Sequence, residues 1–503
     1  MMHHGASDSA AVFDGERILT WAGVREIVNR AARALLATDL DVTQRCAVFA
    51  ENSAEVLLAH LAALYASASS VPCNFHLNAG ELAYILADSN TRLLFVDETT
   101  AERGLAAARL VGVDRVIGWR CAPRPGLVPW EEWMAAASAE SAPTDLVPRP
   151  SLLYTSGTTG RPKGVESPPT SFAGGATVAE HLERLATSRF AAAGGPHLAA
   201  GPLYHAGPLL GSRSLAVGVP VVIPGRFDPE RILAAIDEHQ ITSTVMVPTH
   251  FVRLLKLDPS IREKYDVASL RFVMQTGSAC PVDVKRAMID WWGPVFWESY
   301  GATEMGTVCL INSAEWLAHP GSVGRPVPPF VARVLDEKLQ PVPPGHTGLL
   351  YFEDTTGRGI VYHNRPEAAA DLHIAPGVFT LGEIGHVDDD GFVYITDRAS
   401  DLVVSGGVNI YPAESEQVLI THHAVTDVSC IGVPDPEMGE RLVALVVRRP
   451  DVKVTEAELV AYCRGRLTHY KCPREVQFVD TLGRTAAGKV NKRTLRDEYC
   501  AAR

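Results

Sequence analysis

The sequence predicts an α/β protein with a large N-terminal domain of layered sheets and helices, which includes a β-rich subdomain, and a small α+β C-terminal domain. Three observations predict it. Strand-like and helix-like segments alternate through the first 150 residues, short strands follow a Gly- and Pro-rich stretch at Gly321–Gly348, and the last hundred residues form a separate α+β pattern. Such alternation is typical of parallel sheets covered by helices. We place the boundary so that the domains span residues 1–397 and 398–503.

Apolar spacing predicts the individual elements of the large domain. Val24, Ile27, Val28, Ala31 and Leu35 recur at helical intervals, so they share one face of a helix. Further helices are expected at 54–65 and 229–238. Short apolar runs predict strands at Cys46–Ala50, Leu93–Val96, Val221–Ile223 and Ser243–Val247.

The last hundred residues carry a different pattern of helices and strands, which predicts the small domain. Thr455 and Glu458 have the spacing of a capping box, which marks the start of a helix. The remaining elements are helices at Pro412–Leu419 and near the C-terminus, and strands at Val428–Val433, Leu442–Val447 and Val476–Val479.

Composition bounds the class of protein. The 503 residues are 47% hydrophobic and 21% charged, with 46 Lys+Arg against 58 Asp+Glu and a net charge of −12. These values are those of a folded globular chain. The acidic balance argues against nucleic-acid partners, because these require clustered cations. The longest uncharged run, Val56–Gly80, is too polar to span a bilayer, so we expect no integral membrane segment.

Cysteine usage and the N-terminus indicate the compartment. The nine cysteines form neither CxxC nor a paired zinc spacing, so we interpret them as reduced thiols. No basic segment leads into an apolar stretch at the N-terminus, so no export signal is expected. We therefore expect a cytoplasmic monomer or homodimer.

The segment Tyr154–Gly164 is the most informative motif. It places four Ser/Thr hydroxyls, three glycines, an arginine and a lysine in eleven residues after an apolar strand. Glycines let backbone N–H groups converge, and hydroxyls and cations add further donors for phosphate oxygens. The segment therefore predicts a phosphate-binding loop.

Two other segments imitate known motifs. Gly483–Lys489 has the spacing of a Walker A loop, but Val490 replaces the Ser or Thr that would hold Mg²⁺. His422-His-x-x-x-Asp427 imitates a general-base motif, although it lies between a helix and a strand of the small domain. We reject both interpretations.

Tyr154–Gly164 resembles the phosphate loop of the adenylate-forming superfamily, which comprises acyl-CoA synthetases, peptide-synthetase adenylation domains and luciferases. The resemblance is closest to fatty-acid and aryl acyl-CoA ligases. Further matches occur in the family's order across about residues 17–497: Leu203–Gly207, Thr276–Ala279, Tyr300–Glu304, Gly321–Pro326, Tyr362–Glu367, Gly382–Gly385, Asp397-Arg398, Ser405–Pro412 and Gly488-Lys489.

The resemblance implies roles in forming an acyl-AMP from ATP and a carboxylate. Glu304 would bind Mg²⁺, Thr303 would lie near the α-phosphate, and Lys489 would reach the α-phosphate and the acyl carboxylate. The β- and γ-phosphates would be held by the phosphate loop, namely Thr155, Ser156, Gly157, Thr158, Thr159 and Lys163.

The nucleotide residues implied by the resemblance depart from the family pattern in places. Glu298 stands where an amide commonly faces the adenine amino group, and Glu383 replaces the usual ribose-binding aspartate. Arg398 matches the hinge arginine, but Ser400 stands where the hinge usually has Asp or Lys. The other implied nucleotide residues are Gly277 and Ser278 beside adenine, Ser299, and Tyr300 stacked on the base.

The resemblance also indicates the acyl pocket. His205 matches the aromatic residue that borders this pocket. The pocket is expected to be lined by His205, Val247, Phe251, Met274, Gln275 and Met305. No carboxylate stands among them to hold an α-amino group, so an apolar acid is expected rather than an amino acid.

These matches predict a Mg²⁺-dependent acyl-CoA ligase that uses ATP and coenzyme A. The small domain would be mobile and rotate between the two half-reactions, with Ser405, Gly406 and Gly407 beside the pantetheine arm. Transfer of the acyl group to an amine or to a separate carrier protein remains the alternative. A protein that only binds nucleotide is disfavoured because Lys489, Glu304 and the phosphate loop are all present.

Overall fold

The computed structural model describes residues 7–155, 162–168, 171–406, 408–485 and 488–502. Within these residues the strands form five sheets, and the predicted α/β architecture is confirmed. No helix in the described ranges is long and apolar enough to cross a membrane. All nine cysteines are free thiols, as expected.

The largest sheet has nine strands, and its centre is parallel because helices cover both faces. Its central strand Ser243–Met246 is completely buried. The spatial order is Arg325–Pro326, Gly306–Asn312, Phe296–Ala302, Phe272–Gln275, Ser243–Met246, His197–Leu198, Val221–Ile223, Ala10–Asp14 and Arg17–Thr20.

A second sheet of five parallel strands packs beside the first. The helix Ala54–Tyr65 is buried along its whole length, which explains why it is apolar on all sides. The strand order is Ser69–Pro72, Arg45–Phe49, Leu93–Asp97, Arg115–Trp119 and Leu127–Pro129.

The predicted β-rich subdomain is an antiparallel sheet of six strands beside a separate hairpin. The hairpin pairs Leu152–Thr155 with Lys163–Glu166, the two ends of the predicted phosphate loop. The six strands are Phe330–Leu335, Gly348–Asp354, His373–Ala375, Val378–Phe379, Glu383–Val387 and Val393–Arg398.

The small domain has its own sheet and its own apolar core. The capping box of Thr455 and Glu458 is present at the start of its second helix. The strands are Val403–Ser405, Val408–Ile410, Val425–Asp435, Gly439–Arg448 and Glu475–Phe478, and the helices are Pro412–Leu419, Glu456–Arg464 and Lys492–Ala501. Arg398 is the last residue that pairs in the β-rich sheet, and the next strand, Val403–Ser405, belongs to the sheet of the small domain. The domain boundary between residues 397 and 398 stays a prediction.

The large domain contains the remaining helices, which include those predicted from apolar spacing. They are Trp21–Leu36, Ala54–Tyr65, Ala79–Asp88, Ala101–Val111, Trp130–Ala135, Val178–Ala186, Arg189–Ala192, Ala206–Ser212, Pro229–His239, Pro248–Leu255, Pro259–Glu263, Val282–Trp292, Ser313–Ala318 and Pro366–Ala370. Single 3₁₀ turns occur at Arg213–Val217, Ala399–Asp401 and His469–Lys471.

Candidate active site

Three parallel strands of the nine-stranded sheet end at the same edge, and their continuations carry many of the predicted site residues. Val247 follows Ser243–Met246, Gly277 follows Phe272–Gln275, and Glu304 follows Phe296–Ala302. Ligands of α/β proteins bind outside the carboxyl ends of such strands. We call the space between this edge and Lys489 of the small domain the interdomain cleft.

The loop of Lys489 reaches the large domain at Thr249. Gly488 has a φ of +76°, and a Cβ placed on it would lie 3.0 Å from Thr249 Oγ1, so the close approach requires glycine. Arg484 supports the loop from within the small domain. Its Nη1 donates to the Gly488 carbonyl at 2.7 Å, and its Nε contacts Asp427 Oδ2 at 2.6 Å.

Lys489 shares the cleft with charged groups of both signs. Burial and the charge of Arg398 lower the pKa of Lys489, while the carboxylates of Glu304 and Glu383 oppose this shift. The Lys489 residue is exposed. The fold thus brings together a lysine and carboxylates that are far apart in the sequence.

The phosphate-loop hairpin lies against Glu304. The Thr155 hydroxyl is 3.5 Å from Glu304 Oε1, and the Tyr362 hydroxyl donates to the same oxygen at 3.0 Å. Lys163 pairs with Thr155 across the hairpin and places Nζ 4.7 Å from the centre of the Tyr362 ring. The predicted residues Ser156, Gly157, Thr158 and Thr159 lie outside the described residues.

Glu304 suits a magnesium ion that is held jointly with phosphates. No group of three or more His, Cys, Asp or Glu side chains in the described ranges could hold a metal ion. Mg²⁺ in nucleotide sites is typically bound by one or two carboxylates together with substrate phosphates and water. One carboxylate beside the Thr155 hydroxyl fits this pattern, and half-buried Thr303 precedes it.

Glu383 and Tyr300 form the predicted ribose side of the cleft. The Tyr300 hydroxyl donates to Glu383 Oε2 at 3.1 Å, and Arg398 Nε lies 3.9 Å from Oε1. Burial raises the pKa of the Glu383 carboxyl, and Arg398 counteracts it. The longer glutamate arm therefore keeps its two oxygens at the cleft while one accepts a bond from Tyr300.

Glu298 is engaged by a residue that the sequence analysis missed. Lys285 from the helix Val282–Trp292 donates to Glu298 Oε2, and their side chains are only 1% and 7% exposed. Gln275 is the neighbour of Glu298 on the adjacent strand, and both polar atoms of its amide lack a partner within the described residues. The sequence did contain a signal for this pair: Lys285 shares an apolar helix face with Met288 and Trp292, which predicts a buried lysine that needs a partner.

The residues predicted beside adenine lie on exposed or half-buried backbone. Gly277 has a φ of +95°, and both Gly277 and Ser278 are exposed. Ser299 Oγ is 2.8 Å from Thr307 Oγ1, which joins neighbouring strands at the end of the sheet. These positions leave backbone groups open toward the cleft.

His205 and Met274 lie on one side of the nine-stranded sheet. His205 precedes the helix Ala206–Ser212, and burial together with Lys489 lowers its pKa to about 4. The ring is therefore neutral at physiological pH, and its Nε2 has no partner within the described residues. Met274 packs at the edge of the apolar cluster of Phe190, Val245 and Phe272.

Three predicted pocket residues lie elsewhere. Phe251 is completely buried and packs edge-on against Phe296 at 5.5 Å, on the opposite side of the sheet from Met274. Gln275 follows Met274 directly, and consecutive strand residues face opposite sides. Met305 is 2% exposed and belongs to the core of the β-rich subdomain. The prediction that these three residues line the pocket is not supported by their placement.

The predicted coenzyme A residues lie in a hairpin of the small domain. Ser405 is buried, and Gly406 donates its N–H to the Met438 carbonyl at 2.8 Å. Gly406 has a φ of +58°, a left-handed conformation that favours glycine. Gly407 lies outside the described residues.

The sequence matches two family models in the order of its domains. Residues 3–357 match the model of AMP-binding enzymes, and residues 414–489 match the C-terminal domain of AMP-binding enzymes. The chain belongs to the AMP-binding enzyme family. The roles of the hairpin, Glu304 and Lys489 in forming an adenylate stay predictions.

The relatives of this AMP-binding enzyme include acid–CoA ligases. It is 34% identical to the 3-[(3aS,4S,7aS)-7a-methyl-1,5-dioxo-octahydro-1H-inden-4-yl]propanoyl:CoA ligase of Mycobacterium tuberculosis, covering 97% of this chain and 96% of the relative. It is 33% identical to feruloyl-CoA synthase of an Amycolatopsis species, covering 98% and 96%. The structure of ATP-bound MatB from Rhodopseudomonas palustris superposes with a TM-score of 0.81 at 28% identity, covering 99% and 97%. The chain is thus a member of the AMP-forming acid–CoA ligase family.

Proposed function

We propose that this AMP-binding enzyme joins an apolar carboxylic acid to coenzyme A in two steps, with an acyl-AMP between them. The observation that carries the proposal is the position of Lys489, which the small domain inserts into the cleft beside Glu304 and Glu383. A lysine that is partly desolvated among carboxylates is suited to meeting negative charge on a bound anion.

In the first step a carboxylate oxygen of the acid attacks the α-phosphorus of ATP, and pyrophosphate leaves. Lys489 would offset the charge that concentrates on the α-phosphate and the attacking carboxylate. Lys163 and Thr155 would hold the outer phosphates from the hairpin. Mg²⁺ bound at Glu304 supplies further positive charge to the phosphate oxygens.

Recognition of the nucleotide is assigned to the residues on the ribose and adenine sides. Glu383 would accept bonds from the ribose hydroxyls, with Tyr300 fixing one of its oxygens. Glu298 would accept a bond from the adenine amino group while Lys285 holds its other oxygen. Gly277 and Ser278 would offer backbone against the base.

The acid is proposed to have an apolar body. His205 is neutral, and Met274 adds only apolar surface on the same side of the sheet. Val247, which follows the strand Ser243–Met246, is the other apolar residue proposed for the pocket. The Mycobacterium tuberculosis relative acts on a propanoate attached to a methyl-dioxo-octahydroindene, which is an acid of this kind. We therefore place alicyclic, aryl and alkyl acids before amino acids.

In the second step the thiol of coenzyme A would attack the acyl carbon, and AMP would leave. The small domain is proposed to rotate so that Lys489 leaves the cleft and Ser405, Gly406 and Gly407 face the pantetheine arm. An amine or a carrier-protein thiol is the alternative acceptor. Ser400, whose hydroxyl donates to Asp401 at 3.1 Å, keeps this alternative open because the hinge lacks its usual Asp or Lys.

A panel of acids tests the reaction and the acceptor together. Purified enzyme is incubated with ATP, Mg²⁺ and alkyl, aryl or alicyclic acids, with and without coenzyme A, and products are followed by mass spectrometry. We expect AMP and an acyl-CoA in the presence of coenzyme A. An acyl-AMP that persists with coenzyme A but is consumed by amines would move the assignment to amide synthesis.

The interdomain contact at Lys256 gives a second test. Lys256 Nζ donates to the Val425 carbonyl of the small domain, and Arg449 Nη2 donates to the Lys256 carbonyl at 3.3 Å. Lys256→Met removes one interdomain bond worth about 1 kcal/mol. We expect acyl-AMP formation to slow by roughly fivefold in single-turnover measurements, since 1.4 kcal/mol corresponds to a factor of ten.

Lys264→Met is the matched control, because the side chain of Lys264 is 61% exposed and contacts only large-domain residues. Thioester formation from added acyl-AMP should be unchanged in Lys256→Met. An equal loss in both half-reactions would contradict a contact that favours only the arrangement with Lys489 in the cleft.

A further inference from the structure

Arg213 is a half-buried cation that has no acidic partner within the described residues. Its Nη2 donates to Ser151 Oγ, and burial alone lowers its pKa to about 10. No carboxylate acts on it within the described ranges, and the residues outside those ranges include no Asp or Glu. Buried charges are normally paired, because desolvation of an isolated ion is costly. A partly desolvated guanidinium that lacks a carboxylate within the described residues is therefore suited to an anionic ligand.

The position of Arg213 connects it to the acid. His205 precedes the helix Ala206–Ser212 and Arg213 follows it, so they are eight positions apart, a rise of about 12 Å. Ala206, Leu210 and Arg213 recur at helical intervals and keep accessible surface. The other face is closed, because a Cβ on Gly211 would overlap the ring of His197. These partly accessible residues thus form a line along the helix from His205 to Arg213.

Two unsatisfied polar groups are linked to Arg213: Ser212 precedes it in the chain, and His60 is joined to it by hydrogen bonds through Ser70 and Ser151. Ser212 is 1% exposed and His60 is 5% exposed, and neither Ser212 Oγ nor His60 Nε2 has a partner within the described residues. Ser151 Oγ is 2.8 Å from Ser70 Oγ, which is 2.9 Å from His60 Nδ1. If each hydroxyl both accepts and donates along this series, His60 carries its proton on Nε2 and is a further donor.

We infer that Arg213 binds a second carboxylate at the far end of the acid, so that the preferred substrates are dicarboxylic acids with an apolar middle. This inference rests on the proposed function and names the class of acid within it. Guanidinium groups match carboxylates through two parallel N–H donors, and Arg213 has donors left after its bond to Ser151. Leu210 and Met274, which pack against the same apolar cluster, would contact the middle of the acid.

Matched acids test the inference. Straight-chain dicarboxylic acids of increasing length are compared with monocarboxylic acids of the same length, by AMP release in the wild-type enzyme and in Arg213→Met. We expect one range of dicarboxylic acids to be preferred by the wild type. In Arg213→Met their kcat/KM should fall by about 100-fold or more, while monocarboxylic acids keep their rate or gain.

The thermal stability of the Arg213 variants shows whether Arg213 binds a ligand or supports the fold. Met fills a similar space without an unpaired charge, so Arg213→Met should raise Tm by a few degrees. Arg213→Lys keeps the charge but loses the paired donors, and should recover only part of the dicarboxylate preference. Arg226→Met is the control, because the Arg226 side chain is 85% exposed.

Two results would overturn the inference. One is a wild type that activates no dicarboxylic acid better than its monocarboxylic counterpart. The other is a lower Tm with equal losses for both kinds of acid in Arg213→Met. If no acid is activated at all, the proposed function fails, and thermal shift with the dicarboxylic acids still decides the site: stabilisation of the wild type but not of Arg213→Met supports it, and equal shifts reject it.

Discussion

Lys489→Ala should slow the formation of acyl-AMP by about 100- to 1,000-fold and leave the affinity for ATP nearly unchanged. The reason is that Lys489 enters the cleft from the small domain, beside Glu304 and Glu383, and adds positive charge there. The hairpin with Thr155 and Lys163 would still hold the outer phosphates. Single-turnover acyl-AMP formation and equilibrium ATP binding measure the two effects separately.

A matched control and a split between half-reactions make this test specific. Lys453 is an exposed lysine of the same domain, so Lys453→Ala should leave both rates unchanged. Lys489→Ala should still convert added acyl-AMP and coenzyme A to the thioester, because the proposed rotation removes Lys489 before that step. Adenylation at the wild-type rate in Lys489→Ala would remove this lysine from the mechanism.

Lys285→Met should have the largest effect on stability. It leaves the Glu298 carboxylate buried and unpaired, and breaking a buried ion pair in this way typically costs about 3–5 kcal/mol. The expected result is a lower urea midpoint for the unfolding of the large domain. The KM for ATP should also rise, because the carboxylate proposed to face adenine loses the group that fixes it.

A second substitution tests whether the losses of stability and ATP affinity come from the stranded Glu298 charge or from a need for this carboxylate in adenine recognition. Lys285→Met combined with Glu298→Gln removes the stranded charge and keeps an acceptor oxygen on the same strand. The new amide would stand beside Gln275, whose own amide has no partner within the described residues. We expect most of the stability and of the ATP affinity to return. Loss of ATP affinity in the stable double variant would show that adenine recognition requires the carboxylate.

Local patterns were sufficient for most of the fold. The helix Ala54–Tyr65 and the capping box of Thr455 and Glu458 were predicted from residues within a few positions of one another. Helix periodicity and capping are short-range effects, so the sequence carries them directly. The strands Val425–Asp435 and Gly439–Arg448 are longer than predicted, because their pairing across the sheet extends beyond the apolar runs.

The residues of the acyl pocket were harder to predict, because the side of the sheet that a strand residue faces depends on its exact position in the strand. Met274 and Gln275 are consecutive residues of one strand, so they face opposite sides of the sheet. Phe251 packs on Phe296, which is distant in the sequence, and Met305 joins the core of the β-rich subdomain. The motif alone does not indicate which neighbour of a predicted site residue faces the ligand and which fills the core.

The sequence by itself determined the family, the two-domain plan and the chemical types assembled for adenylation, because hydroxyls, glycines, Glu304 and Lys489 occur in motifs that are read in order along the chain. Only the tertiary structure decided which charges meet. It paired Lys285 with Glu298 and left half-buried Arg213 without a carboxylate partner in the part of the chain that the structure describes. The physical reason is that burial and electrostatic pairing depend on distances between segments far apart in the sequence, and these distances exist only in the folded chain.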